Sequence, residues 1–410
     1  MVLNYIWVSF FLIAFLVALA KLIFLGDLEV FPNLFNKTME MSRLGFEISL
    51  GLTGAMTLWL GIMKIGENAG IVSLFYKAVG PLLRKLFPDI PPNHKLFGPL
   101  IMNISANMLG LDNAATPMGL KTMEGMQELN KDKDTATDSM IMFLVLNTSG
   151  LTILPISIMV IRAQMGAVDP SDIFIPTLLA TYFATMGGLI IVSIYQKINL
   201  FDKTILLYLG SLTAIIIAII VYFNSLPQEQ IRIISSVAAN LILFSTIIFF
   251  ILLALVKKVN VYESFIDGAK EGFHIAIKII PFLIAMLTAV GVFRECGALG
   301  LIVDGVRLAF EQVNLNTDFI DALPTAFMRP LSGSGARGMM VETMNMFGVD
   351  SFAGRLSSVM QGTTETTLYV VAVYFGAVSI RKTRYAVTVG LLADLIGIVA
   401  AILLAYLFFG

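Results

Sequence analysis

The feature that most constrains this chain is the recurrence of apolar runs about twenty residues long. Leu3 to Leu25 is the first. Others cover roughly Phe46–Ile65, Ser139–Ile161, Ile173–Ile194, Ile205–Phe223, Ser235–Val256, Ile275–Phe293, Phe352–Val378 and Tyr385–Phe409. A helix needs about 20 such residues to cross a hydrocarbon core about 30 Å thick, so each run reads as a crossing, nine in all. Composition agrees: 57% of the 410 residues are apolar and 13% charged, with a mean hydropathy of +0.87, against about 45–50% and about 25% in soluble domains. A soluble enzyme and a disordered chain are excluded. The 27 Lys and Arg against 28 Asp and Glu leave no cationic surplus for nucleic acid. One cysteine, Cys296, and two histidines, His94 and His274, predict no disulfide, no metal centre and no cofactor. The first run lacks a basic leader and a small-residue cleavage site, and is expected to be a retained span.

Two stretches are too interrupted to be plain crossings: Leu96–Leu120, with Gly110 and Pro117, and Phe319–Phe347, with Pro324, Pro330, Gly333, Gly335 and Gly338. Both read as re-entrant hairpins, which persist at membrane depth only inside protein or beside a polar cavity. Amphipathic stretches precede them, Ala69–Phe87 and Ala298–Val313, and read as helices along the membrane surface. With the N-terminus in the cytoplasm, fifteen Lys and Arg, from Lys77 to Arg384, fall in cytoplasmic loops. Six fall outside: Lys37, Arg43, Arg162, Arg232, Arg294 and Arg307. That asymmetry predicts a cytoplasmic N-terminus.

The chain also carries a weak internal duplication. "GFEISLGL" from Gly45 and "GENAGI" correspond to "GFHIAIKI" from Gly272 and "RECGAL". "DTATDSMIMFLVLNTSG" from Asp134 corresponds to "DSFAGRLSSVMQGTTET" from Asp350, and "TLLAT" ending at Thr181 to "GLLAD" ending at Asp394. Both copies follow one plan of span, surface helix, hairpin, interrupted span and span, and the crossing count sets them in opposite orientations. Inverted repeats with broken helices point to a transporter scaffold with a midplane site.

The interruptions are where the polar residues gather. The first copy has Asn103, Asn107, Asp112, Asn113 and Thr116 in its hairpin and Asn147, Thr148 and Ser149 in its interrupted span. The second has Arg329, Ser332 and Ser334 in its hairpin and Gln361, Thr363, Thr364 and Glu365 in its interrupted span. Broken helices expose unpaired N–H and C=O groups with their dipoles. Amides and hydroxyls beside them bind a polar solute or strip water from a cation without a buried charge. A carboxylate at this depth is costly, by about 2.5–3.5 kcal/mol on insertion scales. Glu365 therefore reads either as a site residue for solute, cation or proton, or as the partner of Arg329 in a pair locking hairpin to span. Asp394, in the last span, reads as a proton relay or as a buried acid satisfied by hydroxyls. Asp112 is an N-cap or a ligand, and the methionines from Met339 to Met346 are adaptable packing. Ser332 and Ser334 could form a nucleophile loop, but a nucleophile needs an adjacent base. His274 enters a different span, so no catalytic residue and no enzyme is expected.

At these residues the chain resembles two known families. From about Arg43 to Ile194, with "MNISANMLGLDNAATPMGLK", it resembles spore maturation protein A. From about Ser235 onward, with "RPLSGSGARGMM" and "MQGTTETTLYVVAVYFGAV", it resembles spore maturation protein B. Both are gate, or nucleoside recognition, domain proteins, a group that includes concentrative nucleoside transporters and ferrous-iron transport protein B. Gly362-Thr363-Thr364-Glu365 is similar to the Gly-Gln-Thr-Glu stretch that contacts nucleoside in the former, with Thr363 in place of the Gln. No GTPase domain of the iron transporter accompanies it. The resemblance implies an all-α polytopic membrane protein of the bacterial inner membrane, built from two inverted gate-type repeats with re-entrant hairpins and broken transmembrane helices. The expected segments are 1–42 (first span and outer loop), 43–195 (first repeat), 196–260 (linker spans) and 261–410 (second repeat). The expected partners are the lipid bilayer and a small polar solute, nucleoside-like among the candidates, with Na⁺ or H⁺ at Glu365 or Asp394. A second copy of the chain or another envelope protein is a further expected partner. The competing expectation is a non-transporting membrane partner in spore maturation or envelope assembly.

Overall fold

A computed structural model describes residues 2–91, 94–109, 112–312 and 316–410. Its described residues are helical nearly throughout; the one extended feature is an isolated bridge between Thr135 and Lys382. Among the described residues seven helices are long and apolar enough to cross a membrane, and the two stretches expected as interrupted crossings are each divided into two short helices. This is a polytopic, multi-pass membrane protein whose environment is the lipid bilayer. Helix α1 (Val2–Ala20) passes through a π turn to a left-handed Gly26.

The two sequence copies build the same series. The first runs α2 (Val30–Asn68), α3 (Ile71–Leu86), a hairpin of α4 (Phe97–Met108) and α5 (Asp112–Leu129), a broken span of α6 (Asp138–Ser149) and α7 (Ile156–Gln164), and α8 (Phe174–Gln196). Between the copies, α9 (Lys203–Ile205) leads through a π turn into α10 (Ser211–Asn224), followed by α11 (Gln228–Val256). The second copy runs α12 (Val261–Glu295), α13 (Ala298–Glu311), a hairpin of α14 (Leu323–Met328) and α15 (Gly333–Phe347), a broken span of α16 (Phe352–Thr363) and α17 (Thr367–Ala377), and α18 (Ala386–Phe409).

Three expectations are corrected here. Residues up to 42 were expected to end in an outer loop, but α2 begins at Val30 and runs 39 residues, roughly 58 Å at 1.5 Å per residue. Its first turns project past the apolar run and are held by the pairs Lys37–Glu40 and Arg43–Glu47, three and four residues apart. Pro117 does not interrupt the first hairpin. It lies inside α5, where the missing N–H leaves one carbonyl unpaired without ending the helix. Arg162 is not a loop residue: it is fully buried near the end of α7. Gly110 and Val313 lie outside the described residues.

Two compact units emerge, and each draws on both copies. The first comprises Met1–Gly61, Ser157–Pro170 and Asp267–Gln361; the second comprises Ile62–Ile156, Ser171–Ile266 and Gly362–Gly410.

Within the first unit α2 and α12 run antiparallel. A Cβ on Gly45 would come 3.1 Å from Ile284, one on Gly272 would come 2.8 Å from the Cα of Thr57, and one on Gly291 would strike Met41. The duplication offsets these residues by 227 (272 − 45), which makes Ile284 (57 + 227) the equivalent of Thr57. The Gly45–Ile284 and Gly272–Thr57 approaches are therefore one contact made twice, with roles exchanged. An apolar core of Ala14, Met286, Val290, Phe293, Leu299 and Met339 holds this unit together.

Within the second unit α8 and α18 are also antiparallel. A Cβ on Gly187 would meet Ile396, one on Gly397 would come 3.0 Å from Ala184, and Tyr195 stacks on Tyr385 at 4.5 Å. Residues 184 and 397 are themselves equivalents at the local offset of 213 (394 − 181). The core here runs from Leu83 through Phe97, Met140–Val145 and Tyr374 to Val389. Helices α10 and α11 present Ile217, Val221, Leu241 and Phe244 outward, as a lipid-facing surface requires.

Candidate functional site

The second unit gathers Asn103 and Asn107 of the first hairpin, Asn147 to Ser149 of the first broken span and Thr363 to Thr367 of the second. Helix α6 ends at Ser149 and α17 begins at Thr367, and the helices run antiparallel. Phe143 packs on Tyr374 at 5.4 Å, and the Glu365 N–H donates to the Thr148 carbonyl at 2.7 Å. That bond satisfies one of the carbonyls that a helix end leaves open. The unwound residues after α6 are tied to the hairpin by the Ile153 N–H, which donates to the Met108 carbonyl at 2.9 Å.

Against this joint lies a chain of amides, buried at Asn103 and Asn147 and half-buried at Asn107. Asn103 Nδ2 donates to the Ala115 carbonyl (2.8 Å), linking the two arms of the hairpin, and to the Tyr374 hydroxyl (3.3 Å). One turn on, Asn107 Nδ2 donates to Asn147 Oδ1 (2.6 Å), which also accepts from the Tyr374 hydroxyl (3.3 Å). The Asn147 amide donates in turn to the Phe143 carbonyl (2.9 Å), so Asn147 donates and accepts at once. Among the described residues, Asn103 Oδ1 and Thr148 Oγ1 are buried without a hydrogen-bond partner. Buried acceptors and hydroxyls of this kind call for an explanation in a native structure, an unseen ligand included.

The remaining expected site residues divide by surroundings. Glu365 is exposed, and its Cγ lies beside Gly150. Thr363 and Thr364 are buried, with their methyls against Gly397. Asp394 is buried, and its Oδ2 accepts a 2.6 Å hydrogen bond from the Thr367 hydroxyl. Ser149 turns back on its own helix, donating to the Val145 carbonyl at 2.8 Å. Thr116 is exposed on α5. Asp112 and Asn113 open α5, but their side chains lie outside the described residues.

Arg329, Ser332, Ser334 and Gln361 belong to the first unit. Arg329 is buried at the end of α14. Ser332 is the N-cap of α15, accepting from the Gly335 N–H at 3.0 Å, and its hydroxyl lies 3.3 Å from that of Ser334. Capping of this kind is a structural task. Gln361 Nε2 reaches the Gly333 carbonyl at 3.5 Å. Ser334 also borders a mostly apolar cavity of about 400 Å³ lined by Trp7, Pro281, Phe282 and Met286.

One residue of the amide chain, Tyr374, escaped the sequence reading. Tyr374 stands in an otherwise apolar run, but it follows Thr367 by seven residues and so shares its helix face. Gly119 makes room for it: a Cβ there would lie 2.4 Å from the Tyr374 hydroxyl. Arg162, counted as a loop charge, donates to the Val349 carbonyl (2.9 Å) and to Asp350 (3.1 Å) in the first unit.

Antiparallel equivalent helices, re-entrant hairpins and spans broken at polar positions define a gate-type membrane protein. Comparison with known proteins agrees: the gate-domain model described as "Nucleoside recognition" matches residues 49–165, from α2 through the first hairpin to α7. Spore maturation protein B of Bacillus subtilis (strain 168) is 49% identical over 174 residues, 42% of this chain and 91% of the relative. Spore maturation protein A of the same organism is 38% identical over 188 residues, 46% of this chain and 92% of the relative. No solved structure matches. The chain belongs to the family of spore maturation proteins A and B, as a fusion of the two.

Proposed function

We propose that this protein binds and moves a small polar solute across the bacterial inner membrane, with its N-terminus in the cytoplasm. Residues 43–195 and 261–410 act as its two gate repeats. The observation that carries this reading is the Asn103–Asn107–Asn147–Tyr374 chain, set against the unwound joint between α6 and α17, with Asn103 Oδ1 and the neighbouring Thr148 Oγ1 buried and unpaired among the described residues. Amide and hydroxyl groups fit hydroxyl- and amide-bearing solutes, and the name of the gate-domain model makes nucleosides the first class to try. Glu365, exposed at the joint, accepts hydrogen bonds from the solute or carries the coupling Na⁺ or H⁺, with Asp394 as a second proton carrier.

Purified protein screened against nucleosides, dicarboxylates, amino acids and monovalent cations tests this. A ligand specific for the folded form, present at about 100 times its Kd, stabilises by about 2.7 kcal/mol and raises Tm. Glu365→Gln keeps the fold and loses both the shift and flux in liposomes; undiminished flux in that variant takes Glu365 out of the site. The printed names of both relatives favour a second reading, a non-transporting partner in spore maturation. It is supported instead if liposomes show no flux and the protein purifies in a stable complex with an envelope protein.

A further inference from the structure

The first unit holds an acid that the proposed transport site does not use. Glu342 lies in the middle of α15 at 3% exposure. Its Oε1 is 3.4 Å from Nη1 of Arg294, in the last turn of α12, and the same Nη1 lies 3.5 Å from the Glu342 main-chain carbonyl. Its Oε2 is buried and has no hydrogen-bond partner among the described residues. The other charged groups within electrostatic reach are Lys37 and Glu40 of α2. They are paired with each other at 3.1 Å, with the Lys37 stem against Gly291 of α12.

The carboxylate is thus half compensated. One oxygen has a long contact to a guanidinium, the other has nothing, and Lys37 is engaged by Glu40. A buried carboxylate with an open oxygen and a weakly held partner takes up a proton or binds a cation. The adjacent Arg294 repels a cation, which leaves the proton.

We infer that Glu342 is a proton-binding site of the second hairpin, and that its protonation releases α15 from Arg294 of α12. Proton uptake removes the negative charge, and with it the electrostatic part of the tie. Arg294 is then left with the Glu342 main-chain carbonyl and the face of Phe347, 5.8 Å away. The inference is independent of any transported solute, because it concerns a proton and one helix contact.

The test uses the full chain in lipid nanodiscs. Infrared difference spectra across a pH step report protonated carboxyl groups, and one such band is expected to vanish in Glu342→Gln while those of other acids remain. Hydrogen exchange of residues 333–347, corrected for intrinsic rates, is expected to speed up as pH falls in the wild type. In Glu342→Gln it is expected to be fast at every pH. An unchanged carboxyl band, or the same exchange profile in both proteins, overturns the inference. Should Glu342→Gln not assemble, Arg294→Gln decides: it removes the same tie, so exchange of residues 333–347 is expected to be fast at every pH while the carboxyl band appears at higher pH than in the wild type, and wild-type-like pH-dependent exchange or an unmoved band overturns the inference.

Discussion

Gly119 and Tyr374 show how much of the candidate site rests on one absent methyl. A Cβ at 119 would lie 2.4 Å from the Tyr374 hydroxyl, so Gly119→Ala is expected to push that hydroxyl off Asn147 and Asn103 at a cost of about 1–3 kcal/mol. Tyr374→Phe removes the hydroxyl but not the clash, because ring atoms Cε1 and Cζ would still lie 2.6 and 2.7 Å from that Cβ. The double variant is therefore expected to melt clearly below Tyr374→Phe alone, and a double variant as stable as Tyr374→Phe would show that the ring and the new methyl do not share this space. Tyr385 supplies a pH test. Partial burial, and then its 2.8 Å hydrogen bond to Asp138, push its hydroxyl from an ordinary value of 10.0 to about 12. The folded protein holds this proton more tightly than the unfolded chain. The stabilisation is therefore fully present below pH about 10 and lost as pH rises through about 12. Wild type is expected to lose stability relative to Tyr385→Phe as pH rises from about 10 toward 12, and alkaline unfolding curves that keep a constant separation across that window would show that the hydroxyl is not held this way. Neither role was legible in the sequence, because each depends on what faces a side chain from a distant segment. Glu342 was hidden for the same reason, inside a methionine-rich run whose Met339, Met340 and Met344 do pack as expected.

At the scale of elements, the hairpins, the amphipathic helices and both broken spans follow from local patterning. What local patterning missed is how the arms of the broken spans are exchanged. In the second unit α6 of the first copy lies along α17 of the second. In the first unit α7 of the first copy meets the start of the second copy's broken span, through Arg162. That guanidinium is fully buried, with Asp350 a quarter exposed and its Oδ2 accepting from the Val168 N–H at 3.0 Å. Breaking a buried pair by removing one partner costs about 3–5 kcal/mol. With Asp350 partly wet, Arg162→Ala is expected near the lower end in chemical or thermal unfolding. Arg162→Lys is expected to recover little of the loss, since a point charge cannot serve Val349 and Asp350 together. Recovery by Lys would mean that charge, not the planar fork, sets the contact. The same logic of close approach explains the glycines on α2 and α12. Gly45 and Gly272 sit where the partner backbone arrives, and a sequence shows such glycines without showing what approaches them.

For the whole molecule, each compact unit draws segments from both sides of the connection between α11 and α12. Neither half of the chain therefore holds a complete unit. Splitting the chain within 257–260 is expected to give fragments that purify together when co-expressed and that aggregate or degrade when expressed singly. A first half that is monodisperse and melts cooperatively on its own would contradict that interdependence. The relatives fit this division, since each matches about half of this chain over nearly its own full length. By itself the sequence determined the membrane class, the rough position of the long apolar helices, the breaks and the duplication. Those depend on hydropathy and on Gly and Pro, which act within a turn or two of where they stand. Only the tertiary structure decided that the copies interleave, that Tyr374 and not a residue beside the breaks links the buried amides, and that Arg162 and Glu342 are buried. Those outcomes depend on which distant helix supplies the neighbouring atoms and on how much water is left between them.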